Sequence, residues 1–254
     1  GQDCSDEFEF DCAASDSPGF IKVDPDNPHY LADSRGHTFV PIGINQSWDG
    51  EAGSFAYDQY FERLAQNGGN FTRLWQTHYG AGYTIEWGEY HPSGIYCGLG
   101  CYSLKAAARL DRIFQTAQEL GIHIQWVINH HSQFETNMWS SWDDNPFNAA
   151  NGGPCGTSLD FFTSEEANRL YDARIRYLVA RYAAFSSLFA WELFNEIDLI
   201  DGVNARVFKE WQREKAELIR DLDPYDHLIT TSYSLPIYLP SSHDWTYAGY
   251  DIVQ

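Results

Sequence analysis

Short apolar runs and amphipathic stretches alternate along most of this 254-residue chain. Apolar runs that end in polar or aromatic residues predict strands at Phe39 to Ile44, Asn70 to Trp75, His123 to Ile128, Leu188 to Phe194, His227 to Thr231 and Tyr250 to Val253. Between them, apolar residues recur at three- and four-residue spacing, as in Leu110, Ile113, Phe114, Ala117 and Leu120. That period predicts helices near Phe55 to Gln66, Leu104 to Leu120, Ser164 to Ala184 and Asn204 to Asp221. Asn67-Gly68-Gly69 stops the first helix, and Pro224 cannot continue the last. Ahead of this rhythm, Ile21-Lys22-Val23 and Tyr30-Leu31-Ala32 flank a Pro/Asn/Asp turn, and Asp33-Ser34-Arg35-Gly36 makes a second one, a hairpin-like entry. Residues 1–19 are acidic and Ser-rich and read as an arm or linker.

Strands alternating with helices predict a parallel sheet covered on both faces. No Gly-x-Gly-x-x-Gly turn follows the first strand, which counts against a nucleotide-binding open sheet. The longest loops, Gln76 to Ser103 and Asn129 to Thr163, follow the second and third strands, at the end where a barrel builds its active site. The expected fold is an α/β barrel of the TIM (β/α)8 type, with residues 20–254 forming about its first six units. Eight units would need roughly 70 more residues. The chain therefore reads as a barrel cut at its C-terminal side, with its first and last strands open to association.

Composition narrows the partners. Sixteen Lys and Arg stand against 36 Asp and Glu, a net charge of −20, which disfavours nucleic acid and anionic membranes. Nine Trp and sixteen Tyr suit a neutral, ring-stacking ligand such as a sugar, as well as an aromatic core. No stretch approaches the roughly 20 apolar residues of a membrane span. The chain opens on Gly1 and has a single Met, Met138, so a processed start or an excerpt is expected. Cysteines at 4, 12, 97, 101 and 155 lack zinc-ligand spacing and favour disulfides of a secreted domain, with Cys155 left over. The sequons at Asn45 and Asn70 fall at predicted strands and are not expected to carry glycan.

The segment with most chemistry is Phe189-Ala190-Trp191-Glu192-Leu193-Phe194-Asn195-Glu196-Ile197-Asp198. A strand ending in Asn195-Glu196 at a barrel rim aims a partly desolvated carboxyl into the cavity, where it can donate a proton. Glu196 as a helix cap or ion-pair partner is the competing reading. Glu192, too far from the rim, is expected in a core or bottom-face salt bridge. Trp48, Glu86 and Trp87 fall on the first two rim loops, where they would stack on or bind sugar, or simply pack. His78, His91 and Asp143-Asp144 lack the spacing of a metal site, and neither metal nor cofactor is expected.

The Asn195-Glu196 strand end resembles the Asn-Glu signature of clan A glycoside hydrolases, in particular glycoside hydrolase family 5 and its cellulase-like relatives. Further segments match in order: Phe71-Thr72-Arg73-Leu74-Trp75, Asp111 through Ile128-Asn129-His130, and a long third loop with Trp142 to Asn148, Gly152-Gly153-Pro154 and Phe161-Phe162-Thr163. The resemblance covers about residues 20–254. It implies a secreted, monomeric retaining β-glycosidase of endo-glucanase or endo-mannanase type acting on a β-linked glycan. Glu196 would be the acid/base and Asn195 would hold the 2-hydroxyl. Arg73 would orient the nucleophile, unless it serves only an ion pair. His130 would line the subsite at the cleaved bond, with His131 taking that place if the register shifts by one. The family's nucleophilic Glu, at the end of strand seven, has no counterpart here, nor has the His/Tyr pair after strand six. This polypeptide alone is therefore expected to hydrolyse little. A non-catalytic carbohydrate-binding barrel is the alternative, and a metal-dependent barrel hydrolase a distant third.

Overall fold

The computed structural model describes residues 11, 17–49, 53–78, 84–87, 98–137, 140–202, 204–234 and 249–252. Three short antiparallel strands come first, β1 (Lys22–Val23), β2 (Leu31–Ala32) and β3 (Thr38–Phe39), as the two turn signals require. The chain then enters a parallel sheet through β4 (Gly43–Ile44), α1 (Ala56–Gln66), β5 (Phe71–Trp75), α2 (Leu104–Glu119) and β6 (His123–His130). It continues through α3 (Asp160–Thr163), α4 (Glu165–Tyr182), β7 (Leu188–Asn195), α5 (Ala205–Leu222) and β8 (Leu228–Thr230).

The sheet order is β4-β5-β6-β7-β8, every strand parallel to the next and beside it in sequence. A doubly wound sheet would reverse direction at a switch point. Unbroken sequential order is the winding of a (β/α)8 barrel.

Local chemistry sets the helix ends. The side chains of Ser103, Ser164 and Asn204 accept hydrogen bonds from the backbone N–H groups of Ala106, Ala167 and Val207, starting α2, α4 and α5. Gly68, at φ +80°, follows α1. Gly43 is required by close approach, because a Cβ there would lie 1.6 Å from the Phe71 carbonyl oxygen. Leu110, Ile113, Phe114 and Ala117 of α2 join Trp126, Tyr182 and Trp191 in one core between sheet and helices.

Two expected strands are corrected. The run from Phe39 to Ile44 is not one strand: β3 belongs to the antiparallel sheet and β4 to the parallel one. Pro41, which has no N–H for a ladder, sits at the break. The Asn70 side chain bridges this break, accepting from Ile42 N and donating to the Val40 carbonyl, so this sequon asparagine has a structural use. Tyr250–Ile252 form no strand, although Asp251 N donates to the Ile229 carbonyl at 3.0 Å and Thr230 Oγ1 to the Ile252 carbonyl at 2.8 Å. Val253 lies outside the described residues. The described parallel strands therefore number five rather than six.

The small sheet closes the bottom of the parallel one. Phe39 packs on His123 and Phe189, and Ile21 clusters with Phe189, Ala190 and Leu228, all at strand N-terminal halves. Burial there lowers the His123 pKa to about 4, against a weaker opposing backbone hydrogen bond at Ser186. Most of the expected N-terminal arm lies outside the described residues. Its last part is tied in: Ser34 N donates to the Pro18 carbonyl, and Phe20 N to Ser34 Oγ. Cys101 is disulfide-bonded and Cys155 is a buried free thiol, while the other three cysteines lie outside the described residues. No described helix is long and apolar enough to cross a membrane.

Candidate active site

β7 carries Asn195 to the C-terminal end of the sheet, and the chain then turns sharply through Glu196. Glu196 sits in the left-handed region at φ 52° and ψ 52°, leading into a 3-10 turn at Ile197–Leu199. A side chain in that conformation is strained by about 1 kcal/mol or more, so the surroundings must hold it there.

They do so from below and from the side. Arg73, on β5, donates to both carboxylate oxygens of Glu192, through Nε at 2.7 Å and through Nη2. The same Nη2 reaches Asn195 Oδ1 at 2.7 Å and Ser232 Oγ at 3.0 Å. A guanidinium has donors only, so the Asn195 atom facing it must be the amide oxygen. The amide nitrogen is thereby aimed the other way, at Glu196 Oε2 (2.9 Å) and His131 Nδ1 (3.0 Å). His131 Nδ1 is also 3.0 Å from Glu196 Oε2. A single hydrogen between His131 Nδ1 and Glu196 Oε2 satisfies that contact.

The two histidines sit in different surroundings. His130 is the last residue of β6, paired in register with Asn195, and is fully buried. It bonds Ser132 Oγ at 2.7 Å through Nδ1 and stacks on Trp75 and His78. Burial, with His78 and His131 nearby, pushes its pKa well below the ordinary histidine value. His130 is thus a core histidine, and His131 is the one at the carboxyl group.

The remaining rim residues separate. Trp48 is 48% exposed and packs edge-on against Trp75 at 5.5 Å, an available aromatic face on the same rim. Glu86 is completely buried, paired with Arg174 at 3.3 Å and accepting from Gly100 N, and burial raises its pKa. Trp87 is buried against His78. Neither offers surface to a ligand; Glu86 ties its loop to α4 through Arg174. Glu192 does form the expected salt bridge, but with Arg73, directly beneath the rim rather than at the bottom. Gln125 also donates to it at 2.6 Å. Among the described residues no cluster of His, Cys, Asp or Glu is arranged to hold a metal ion. His91 lies outside them.

Three further residues belong to this constellation. Ser232 follows β8 and touches Arg73, Asn195 and Glu196. Trp75 lies under the Arg73 guanidinium and meets Trp48 edge-on. Glu135 follows the 3-10 turn His131–Gln133 (its N–H donates to the His131 carbonyl), and its pKa is raised by burial and by the charges of Asp201 and Glu196, against His131. A Thr-Thr-Ser run closing an apolar strand, and aromatic Trp75 at another strand end, were the available sequence signals.

The fold is that of the clan A, family 5-type, cellulase-like glycoside hydrolase barrels. No family model matches the chain. It is similar to mannan endo-1,4-beta-mannosidase F of Aspergillus clavatus, 28% identical over 226 residues, covering 80% of this chain and 48% of that protein. Mannan endo-1,4-beta-mannosidase A of Podospora anserina is also 28% identical, over 77% of this chain and 50% of its own length. A glycoside hydrolase family 5 mannosidase from Rhizomucor miehei superposes with a TM-score of 0.62 at 16% identity, covering 91% of this chain and 59% of that one. The chain spans about half the length of these fungal relatives.

Proposed function

We propose that this chain supplies the acid/base half of a retaining β-glycoside hydrolase acting on a β-1,4-linked, mannan-type polysaccharide. The observation that carries the reading is the Asn195–Glu196–His131 triangle at the end of β7, locked by Arg73. Glu196 protonates the leaving glycosidic oxygen and later takes a proton from the attacking water. Asn195, its amide nitrogen turned toward the carboxyl, binds the 2-hydroxyl. His131 holds the carboxyl in place, and Trp48 provides a face for a sugar ring. In retaining enzymes a second carboxylate attacks the anomeric carbon from about 5–5.5 Å away; no residue of this chain is assigned that role. The mannan preference rests on the named activities of the relatives above. A polymer of that size is met outside the cell, which with the Cys101 disulfide supports secretion.

Glu196→Gln, made in the protein expressed from its complete reading frame, tests the reading. Hydrolysis of mannan and of glycosides with poor leaving groups should fall by about 100-fold or more, while activated aryl glycosides lose far less in the first step. Equal loss on both would remove the acid role.

A further inference from the structure

The hydroxyl of Ser232 is spent entirely on the two proposed active residues and the arginine beneath them. It receives the Glu196 backbone N–H at 3.2 Å and Arg73 Nη2 at 3.0 Å, and faces Asn195 Oδ1 at 3.4 Å. A hydroxyl has two acceptor positions and one hydrogen. Arg73 Nη2 shares its two hydrogens among Glu192, Asn195 and Ser232, the Glu196 N–H is the other donor to the hydroxyl, and the O–H points to Asn195 Oδ1. Asn195 Oδ1 in turn receives both Arg73 and Ser232, which fixes the amide the way round that aims its nitrogen at Glu196.

The same hydroxyl addresses the strain. Glu196 is one of two non-glycine residues at positive φ among those described, and its N–H is the group that Ser232 Oγ holds. Two residues further on, Ser234 N and Oγ both bond the Asp198 carboxylate, at 2.8 and 2.7 Å, bracing the other end of the turn. The strand end itself needs neither contact. Ser232 N donates to the Phe194 carbonyl at 3.0 Å and Thr231 Oγ1 to the same oxygen. Loss of the Ser232 hydroxyl alone therefore leaves the backbone anchored.

We propose that Ser232 is a positioning residue of the proposed hydrolase: its hydroxyl holds the left-handed backbone of Glu196 and the orientation of the Asn195 amide, and so sets where the acid proton is delivered. The inference rests on the reading of Glu196 as acid/base.

The test uses the complete protein with two substrates, a mannan oligosaccharide and an activated aryl β-mannoside. Ser232→Ala should lower kcat on the oligosaccharide about tenfold, with KM little changed and a smaller loss on the aryl substrate. Ser232→Thr, which restores a hydroxyl, should recover most of the rate. Glu196→Ala is the control for the underlying reading: azide, taking the place of water on the glycosyl-enzyme, should restore turnover of the aryl substrate and yield a glycosyl azide. No rescue and no dependence on leaving group in Glu196→Ala would overturn the acid/base reading itself. With that control behaving as expected, two results would overturn the role of Ser232: parental rates for Ser232→Ala, or equal losses on both substrates with a lowered unfolding midpoint and no recovery by threonine.

Discussion

His131 Nδ1 lies 3.0 Å from Glu196 Oε2, while the preceding histidine turns into the protein and stacks on Trp75. Adjacent residues of one type thus serve opposite purposes. His131→Ala should leave the unfolding midpoint nearly unchanged and reduce hydrolysis about tenfold, the loss expected for one hydrogen bond to a charged group. His130→Ala should empty a packed site and cost about 2–4 kcal/mol of stability. Urea titration alongside turnover separates the two, and an exchange of the two phenotypes would refute the assignment.

The reason the pair was ambiguous in the sequence is physical. Apolar alternation stops at Ile128, but hydrogen bonding with β7 carries β6 on to His130. Strand ends set by a neighbour's ladder leave no local trace. The interior strands and the four long helices were legible, because burial on one face imposes a period. The Phe39 to Ile44 run looks like one strand because its apolar content outweighs Pro41. Glu86 and Trp87 look like rim residues by position, while the structure buries both, Glu86 against Arg174, 88 residues away. Asn195 and Glu196 could be picked out since a polar pair ends a strand that is apolar but for Glu192. Ser232 could not, since a serine after a strand is common and its value depends on which side chains converge on it.

Arg73 joins stability to the site, and the two roles can be separated. Arg73→Ala leaves the Glu192 carboxylate buried with only Gln125 as donor, and should cost about 3–5 kcal/mol. The double variant Arg73→Met with Glu192→Leu removes the charge along with its partner and should regain much of that stability. It should not regain activity, since Asn195 Oδ1 still lacks the guanidinium that orients it. Recovery of both would mean that Arg73 serves the ion pair alone.

Trp48 is an exposed ring joined to these groups through its contact with Trp75. Trp48→Ala should raise KM for oligosaccharides several-fold, as expected for a stacking contact of about 1 kcal/mol, with kcat unchanged. A changed kcat at constant KM would place the residue among the groups that act on the transition state rather than on sugar binding.

The buried histidines make stability depend on pH on the acid side of neutrality. Burial holds the His78 pKa at about 3 and, with a weaker opposing hydrogen bond at Ser186, His123 at about 4, each against an ordinary value of 6.5. Between those limits the unfolded chain binds more protons than the folded one, so stability is whole above about pH 6.5 and declines as pH falls toward 3. Asp223 extends the decline: although burial opposes it, hydrogen bonds from His227, Trp191 and the Tyr225 backbone bring its pKa from 3.8 to about 2, so its contribution is lost over that last interval. The combined loss from neutrality to pH 3 should be on the order of 8 kcal/mol. Urea midpoints measured from pH 7.5 down to 3.5 should fall continuously, and His78→Gln, which has no proton to take up, should show a shallower slope. A midpoint constant across that range would mean that neither histidine is held neutral by the fold.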